Sequence, residues 1–182
     1  MAGDTGAALV AVTGLPGTGK STVSRAVASH LRATLLPLSW VLGALGDVGT
    51  PRGRVAPAAY MVLTRLARVQ LEGGGSVVLD AMAGSEAVRC EWRDVASAAG
   101  ARFVGVECVC SDRDVHRRRV EERIEHVPGW ATPGWDHVER MRARYESWTS
   151  ERIVIDALEP LEHNVGAILR AAGQTSGGKS GR

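Results

Sequence analysis

The order of strands and helices predicts an α/β protein, with a parallel sheet covered by helices on both faces. Three observations predict it. Apolar runs such as Val77-Val78-Leu79 and Ile153-Val154-Ile155 lack polar alternation, the pattern of strands buried on both faces. These runs alternate with longer segments whose apolar residues recur at helical spacing. Between the first run and the first helical segment stands Gly14-Leu15-Pro16-Gly17-Thr18-Gly19-Lys20-Ser21. It fits the phosphate-binding glycine loop G-x-x-x-x-G-K-[ST], which joins a strand to a helix.

Taken in order, Ala7–Thr13 reads as the first strand. The helix after the glycine loop, Thr22–Leu31, places Val23, Val27 and Leu31 on one face. Thr34–Leu38 is a short second strand. Gly43–Pro57 is rich in Gly and Pro, so a loop is expected there. Ala58–Leu71 reads as a helix with Ala59, Val62, Leu66 and Val69 on one face. Ser76–Asp80 is the third strand, after a triple-glycine break. Ser85–Ala99 is a helix carrying Val88, Trp92, Val95 and Ala99 on one side, and Arg102–Cys110 is the fourth strand. Asp112–His126 reads as a charged helix. Trp135–Trp148 reads as another, with Val138, Met141, Tyr145 and Trp148 at helical spacing. Arg152–Ile155 is the fifth strand. Pro160–Ala171 is the last helix, opened by a proline in its first turn. Residues 1–173 are expected as one domain, since 182 residues suffice for a single core. Gln174–Arg182 holds only small, polar and charged residues and is expected to be a disordered tail.

Net charge is +2, which argues against a nucleic-acid partner. Only two of the 22 Lys and Arg are lysine, Lys20 and Lys179. A point charge on a flexible stem suits the phosphate position better than a guanidinium fork. The three cysteines Cys90, Cys108 and Cys110 fit neither a disulfide framework nor zinc spacing, and they are read as ordinary core thiols. With no apolar stretch long enough to span a membrane and no signal-peptide pattern, a cytoplasmic location fits.

In the glycine loop, backbone N–H groups from Gly14 through Ser21 and the helix N-terminus at Thr22 can surround a polyphosphate. Lys20 reaches the terminal phosphates, and the Ser21 hydroxyl can ligate Mg²⁺. Asp80 ends an apolar strand. In an open parallel sheet that end faces the ligand, so Asp80 is a second candidate for holding Mg²⁺. Ala81 follows it, where motor-type ATPases generally carry a water-activating glutamate. The guanine-reading Asn-Lys-x-Asp is absent, and Asn164 is the only asparagine. Transfer to an acceptor is therefore favoured over transfer to water. Arg119 and Arg123 share a helix face. They either form a lid over the migrating phosphoryl group or belong to a solvated face balanced by nearby acids.

With these pieces in order, the chain resembles the small P-loop kinases often labelled AAA-family ATPases in bacterial genomes. It is similar to the zeta-toxin, chloramphenicol-phosphotransferase and polynucleotide-kinase relatives. The resemblance rests on Gly14–Thr22, Gly75–Ala81 and Arg119–Arg123, and it runs from Ala7 to about Ala172. It implies a P-loop NTPase three-layer sandwich whose five-stranded parallel sheet has the order 2-3-1-4-5. It also implies a short arginine lid, and a reaction moving the γ-phosphoryl group of ATP with Mg²⁺ to a small-molecule acceptor. The chain departs from the pattern in one place. Many such kinases carry an acid just after the second strand, but here the sequence reads Leu38-Ser39-Trp40-Val41. Either Asp47 reaches the acceptor, or Asp80 serves both roles, or the acceptor needs little base help. Trp40 and Trp130 are candidates to stack on or cover an acceptor, and Arg52, Arg54 and Tyr60 are candidates to bind an anionic one. His116, His126 and His137 have no metal-ligand spacing and are expected at the surface. A regulatory ATP-binding protein with little turnover and a nucleic-acid 5′-end kinase remain the competing functions.

Overall fold

The computed structural model describes residues 6–122 and 127–173. Five parallel strands form one sheet: β1 Ala8–Thr13, β2 Thr34–Pro37, β3 Val77–Asp80, β4 Arg102–Val109 and β5 Ile153–Asp156. Their order is β2-β3-β1-β4-β5, as the resemblance implies. Seven helices accompany them among the described residues: α1 Lys20–Leu31, α2 Leu38–Asp47, α3 Arg52–Glu72, α4 Glu86–Ala98, α5 Arg113–Glu121, α6 Trp135–Ala143 and α7 Leu161–Ala171.

Successive residues of β1 point to opposite faces, and both faces are covered. Leu9 and Ala11 join Leu63, Leu71, Leu79 and Trp92 beneath α3 and α4. Val10 and Val12 join Val27, Val78, Val106 and Ile168 beneath α1 and α7. All six residues of β1 are buried, which explains the absence of polar alternation in the sequence. A third, smaller cluster places Leu15 of the glycine loop against Val120 of α5 and Val138 of α6. It fixes the helices after β4 over the sheet's C-terminal edge.

Three expectations are corrected. Gly43–Pro57 is mostly helix: α2 runs through Gly43 and Gly46, and α3 contains Pro57 near its start. In α3 the inward face is Ala59, Leu63, Ala67 and Leu71, whereas Val62, Leu66 and Val69 are 37%, 47% and 67% exposed. Two apolar stripes run along this helix, and the one with small alanines fits closely over the sheet. The helix expected to reach Trp148 ends at Ala143. Beyond it, Arg89 of α4 takes over, donating to the carbonyls of Glu146 and Ser147 and lying over the rings of Tyr145 and Trp148. The segment 174–182 expected as a tail lies outside the described residues.

Candidate active site

The glycine loop runs from the C-terminal end of β1 into the first turn of α1. Gly17 and Gly19 hold φ of 84° and 80°, a region that disfavours residues with a Cβ. Gly19 caps α1, which has no side-chain cap and no acidic residue in its first turn. The helix thus opens with backbone N–H groups and its positive dipole end directed to an anion. Two donors converge on the Leu15 carbonyl, Thr18 Oγ1 and Lys20 Nζ, each at 2.8 Å. They hold the loop in a tight arch with the Lys20 ammonium across it.

Asp80 is the last residue of β3, in register with Val12 of β1 and Pro37 of β2. It is only 7% exposed. The chain beyond it stays beside the loop, since Ala81 N–H donates to Val12 O at 3.2 Å and Gly14 N–H donates to Met82 O at 3.3 Å. Cys108, on the adjacent β4, feels both Lys20 and Asp80. Burial pushes its thiol up to about 12; the Lys20 charge opposes this and the Asp80 charge adds to it. Cys108 is therefore a neutral core thiol, as expected, and it lies within electrostatic reach of both charged groups.

Tyr60 and Arg89 shape the turn after Asp80. Ala83 adopts φ 43°, unusual for a residue with a side chain. Its N–H donates to Tyr60 Oη at 3.0 Å, and its carbonyl accepts from Arg89 Nη1 at 2.7 Å. Tyr60, a candidate acceptor contact by sequence, thus has its hydroxyl engaged with the protein. Burial raises its phenol above the ordinary value. Tyr145 Oη meets Thr13 Oγ1 at 3.1 Å, at the end of β1.

The arginine helix divides. Arg117 pairs with Glu121 at 2.8 Å on the exposed side, and Arg113 pairs with Glu139 at 2.8 Å. Arg119 instead lines a cleft of about 280 Å³, together with Gly17, Gly19, Thr22, Ala157 and Asn164. Its Nη2 donates to Ala157 O at 3.2 Å. The solvated, paired reading therefore holds for Arg113 and Arg117, while Arg119 stands at a cleft beside the glycine loop. Arg123 lies outside the described residues, as does His126.

The sequence candidates for the acceptor are less gathered. Trp40, in the first turn of α2, is 57% exposed. Arg52 and Arg54 are exposed in the first turn of α3. Trp130, like Val41, Leu45 and Tyr60, packs against the core beneath α3 and α4. Asp47 ends α2 and rests against Gly129 of the Pro128–Trp130 turn. The same turn comes so near α2 that a side chain at Gly43 would overlap the Pro128 carbonyl oxygen.

Sequence reasoning missed two features. The loop after β5 supplies one wall of the cleft, with Asn164 Nδ2 fixing it by donating to Asp156 O at 2.7 Å. His116, expected at the surface, is 1% exposed. The available signal was Val120, the apolar residue of a charged helix that marks the inward face; His116 stands four residues before it and shares that face.

Residues 9–148 match the AAA_33 family of AAA domains, and the chain belongs to that family. No curated protein matches it. Among solved structures it is similar to a candidate kinase from Chloroflexus aurantiacus, at 24% identity and a TM-score of 0.72, covering 91% of this chain and 98% of that one. A sugar kinase from Janibacter aligns at 18% identity and a TM-score of 0.69, over 92% and 95% of the two chains. The APS kinase of Mycobacterium tuberculosis, in complex with AMPPNP and APS, aligns at 21% identity and a TM-score of 0.66, over 92% and 98%. The fold is that of small P-loop kinases. Among the described residues, no helix is long and apolar enough to cross a membrane.

Proposed function

We propose that this protein is an ATP-dependent phosphotransferase acting on a hydroxyl group of a small molecule. One observation carries the reading: the glycine loop, the uncapped α1 N-terminus and Arg119 line one cleft walled by the loop after β5, while Lys20 crosses the same loop and Asp80 ends the strand beside it, both close enough to Cys108 to act on its thiol. The residues Gly14–Thr22 would hold the polyphosphate, with the nucleotide extending along Arg119, Ala157 and Asn164. Asp80 suits a divalent cation because its carboxylate is buried at the C-terminal end of a strand, where the chain that follows is hydrogen-bonded to the start of the glycine loop. Asp80 and Ser21 would hold Mg²⁺, which neutralises charge on the phosphate oxygens.

In the reaction, the acceptor oxygen bonds to the γ-phosphorus as the bond to the bridging oxygen breaks and ADP departs with that electron pair. Lys20 and Arg119 stabilise the charge that develops. Ala81, 3% exposed, follows Asp80 where a glutamate would activate water, so an alcohol is the fitting nucleophile. Its proton passes to Asp80, to Asp47 or to solvent. A loose transition state asks little of a base.

The test is ADP release measured with ATP and Mg²⁺ against a panel of nucleosides, sugars and aminoglycoside-like alcohols. At least one class is expected to raise ADP release well above the rate without acceptor. ATP binding with no stimulation by any class would replace this reading with that of a nucleotide-responsive regulator. Stimulation by oligonucleotide 5′ ends alone, weakening with salt, would move the acceptor to nucleic acid.

A further inference from the structure

His116 joins the arginine helix to the glycine loop. Its Nε2 lies 2.7 Å from the Pro16 carbonyl oxygen, and its Nδ1 lies 3.1 Å from Arg142 Nη2. A carbonyl only accepts and a guanidinium only donates. The two partners together therefore select one form of the ring, neutral with the proton on Nε2. The imidazole also meets the Trp135 ring edge-on, with centroids 5.2 Å apart. One turn further along α5, Val120 packs on the same part of the loop. A side chain at Gly17 would come within 2.6 Å of Val120 Cγ2 and 3.1 Å of His116 Cδ2. Arg119, beside Val120, points into the nucleotide cleft.

We propose that His116 is a positioning residue that clamps the Pro16–Gly17 arch to α5 and α6, and so sets where Arg119 stands relative to bound phosphate. The proposal rests on reading the glycine loop as a nucleotide site. The Nε2–H bond to Pro16 survives protonation, but the tie to Arg142 of α6 needs a neutral ring. A second proton would place an N–H on Nδ1 facing the Arg142 guanidinium, donor against donor and cation against cation. The charged groups facing the ring are Arg142 and Glu139 of α6 and Lys20 of α1, while Arg113 of α5 pairs with Glu139. Burial is the largest influence and lowers the imidazole below its ordinary 6.5. Arg142 and Lys20 act the same way, against the Pro16 bond and Glu139. Protonation therefore begins only below the usual histidine range, and the clamp is intact at neutral pH.

Two measurements test this. The first is imidazole ¹⁵N NMR of the whole wild-type protein. It should show His116 protonated at Nε2 and bare at Nδ1 at pH 7, with titration below 6.5; a proton on Nδ1 or ordinary titration overturns the clamp. The second is titration with AMP-PNP. His116→Ala is expected to weaken binding about tenfold, the worth of roughly one buried hydrogen bond. His116→Gln, whose amide nitrogen can still donate to Pro16, should stay within about threefold. Wild-type affinity should fall on acidification below 6.5 more steeply than that of the Gln variant, which has no ring to protonate. A folded Ala variant with wild-type affinity, or parallel acid limbs for wild type and Gln, overturns the proposal. If wild type binds no AMP-PNP at all, the nucleotide reading fails instead, and the NMR result still decides whether the clamp exists.

Discussion

The proposed donor side and acceptor side of the site are built differently. On the donor side nearly every group is tied to its neighbour. Thr18 and Lys20 hold Leu15, His116 holds Pro16, and Gly14 bonds to the chain beyond Asp80. On the acceptor side, Trp40, Asp47, Arg52 and Arg54 are exposed, and α2 meets the Pro128–Trp130 turn through glycine backbone. A polyphosphate is the same in every nucleotide and is bound by backbone dipoles, so its site can be rigid and local. An acceptor is recognised by side chains drawn from separate elements, which on the proposed reading would be α2, α3 and the turn after α5.

The largest expected effect lies on the donor side. Lys20→Ala should lower acceptor-dependent ADP release by about 100-fold or more, the scale for losing one preorganised charge-stabilising donor. Its thermal unfolding should change little, because the side chain is only partly buried. Undiminished ADP release would falsify the assignment of the loop. Asp80→Asn comes next. The rate and the Mg²⁺ dependence should fall together, by roughly 10- to 100-fold in rate; an unchanged metal titration would remove Asp80 from the metal site.

A pair of glycine substitutions sets the two sides against each other directly. Gly17→Ala meets both a positive φ and Val120, while Gly43→Ala drives a methyl into the Pro128 carbonyl. Each should cost about 1–3 kcal/mol in urea denaturation, the range for overpacking. Only Gly17→Ala should also weaken AMP-PNP binding. Equal loss of nucleotide affinity in both would show that the sides are mechanically one unit.

The same contrast governs what could be read from the chain. The glycine loop, its strand and helix, and Asp80 at a strand end are legible because their geometry is local. The sheet order follows the family pattern. The face of α3 was misread because Val62, Leu66 and Val69 match the helical period as well as Leu63, Ala67 and Leu71 do, and only packing against the sheet chooses between them. His116 was misread because its partner Pro16 is 100 residues away in sequence. The glycines and Pro57 between 43 and 57 suggested a loop. Gly43 instead serves close approach to the Pro128 turn, and Pro57 falls near the start of a long helix held by the core residues that follow it.

The helix α4 ties the turn after Asp80 to the segment that follows α6. Arg89 is buried and pairs with Glu86 at 2.6 Å while gripping the Ala83 turn and the 146–147 carbonyls. Partial burial pushes the Glu86 carboxyl up, but hydrogen bonds from Thr149 and Arg89 outweigh it and hold the group at about 2, against an ordinary 4.5. A lowered folded-state value stabilises the protein above 4.5, and this contribution is lost as pH falls from 4.5 towards 2. Wild type should therefore exceed Glu86→Gln in stability at pH 6, and the gap should shrink by pH 3. A gap that does not change with pH would remove the charged Glu86 carboxylate as the source of this stability.

The smallest effect is expected at Trp40. At 57% exposure its ring contributes little to packing, so Trp40→Ala should shift folding stability by no more than about 0.5 kcal/mol. AMP-PNP affinity should be unchanged, because Trp40 belongs to the first turn of α2 and not to the glycine loop. What should change is the acceptor KM, by about three- to tenfold, the worth of one aromatic stacking contact. Such a split, with nucleotide binding and stability intact and acceptor affinity lowered, would locate the acceptor over α2. An acceptor KM that stays the same would leave Trp40 a solvent-facing residue and move the acceptor towards Trp130 and the start of α3.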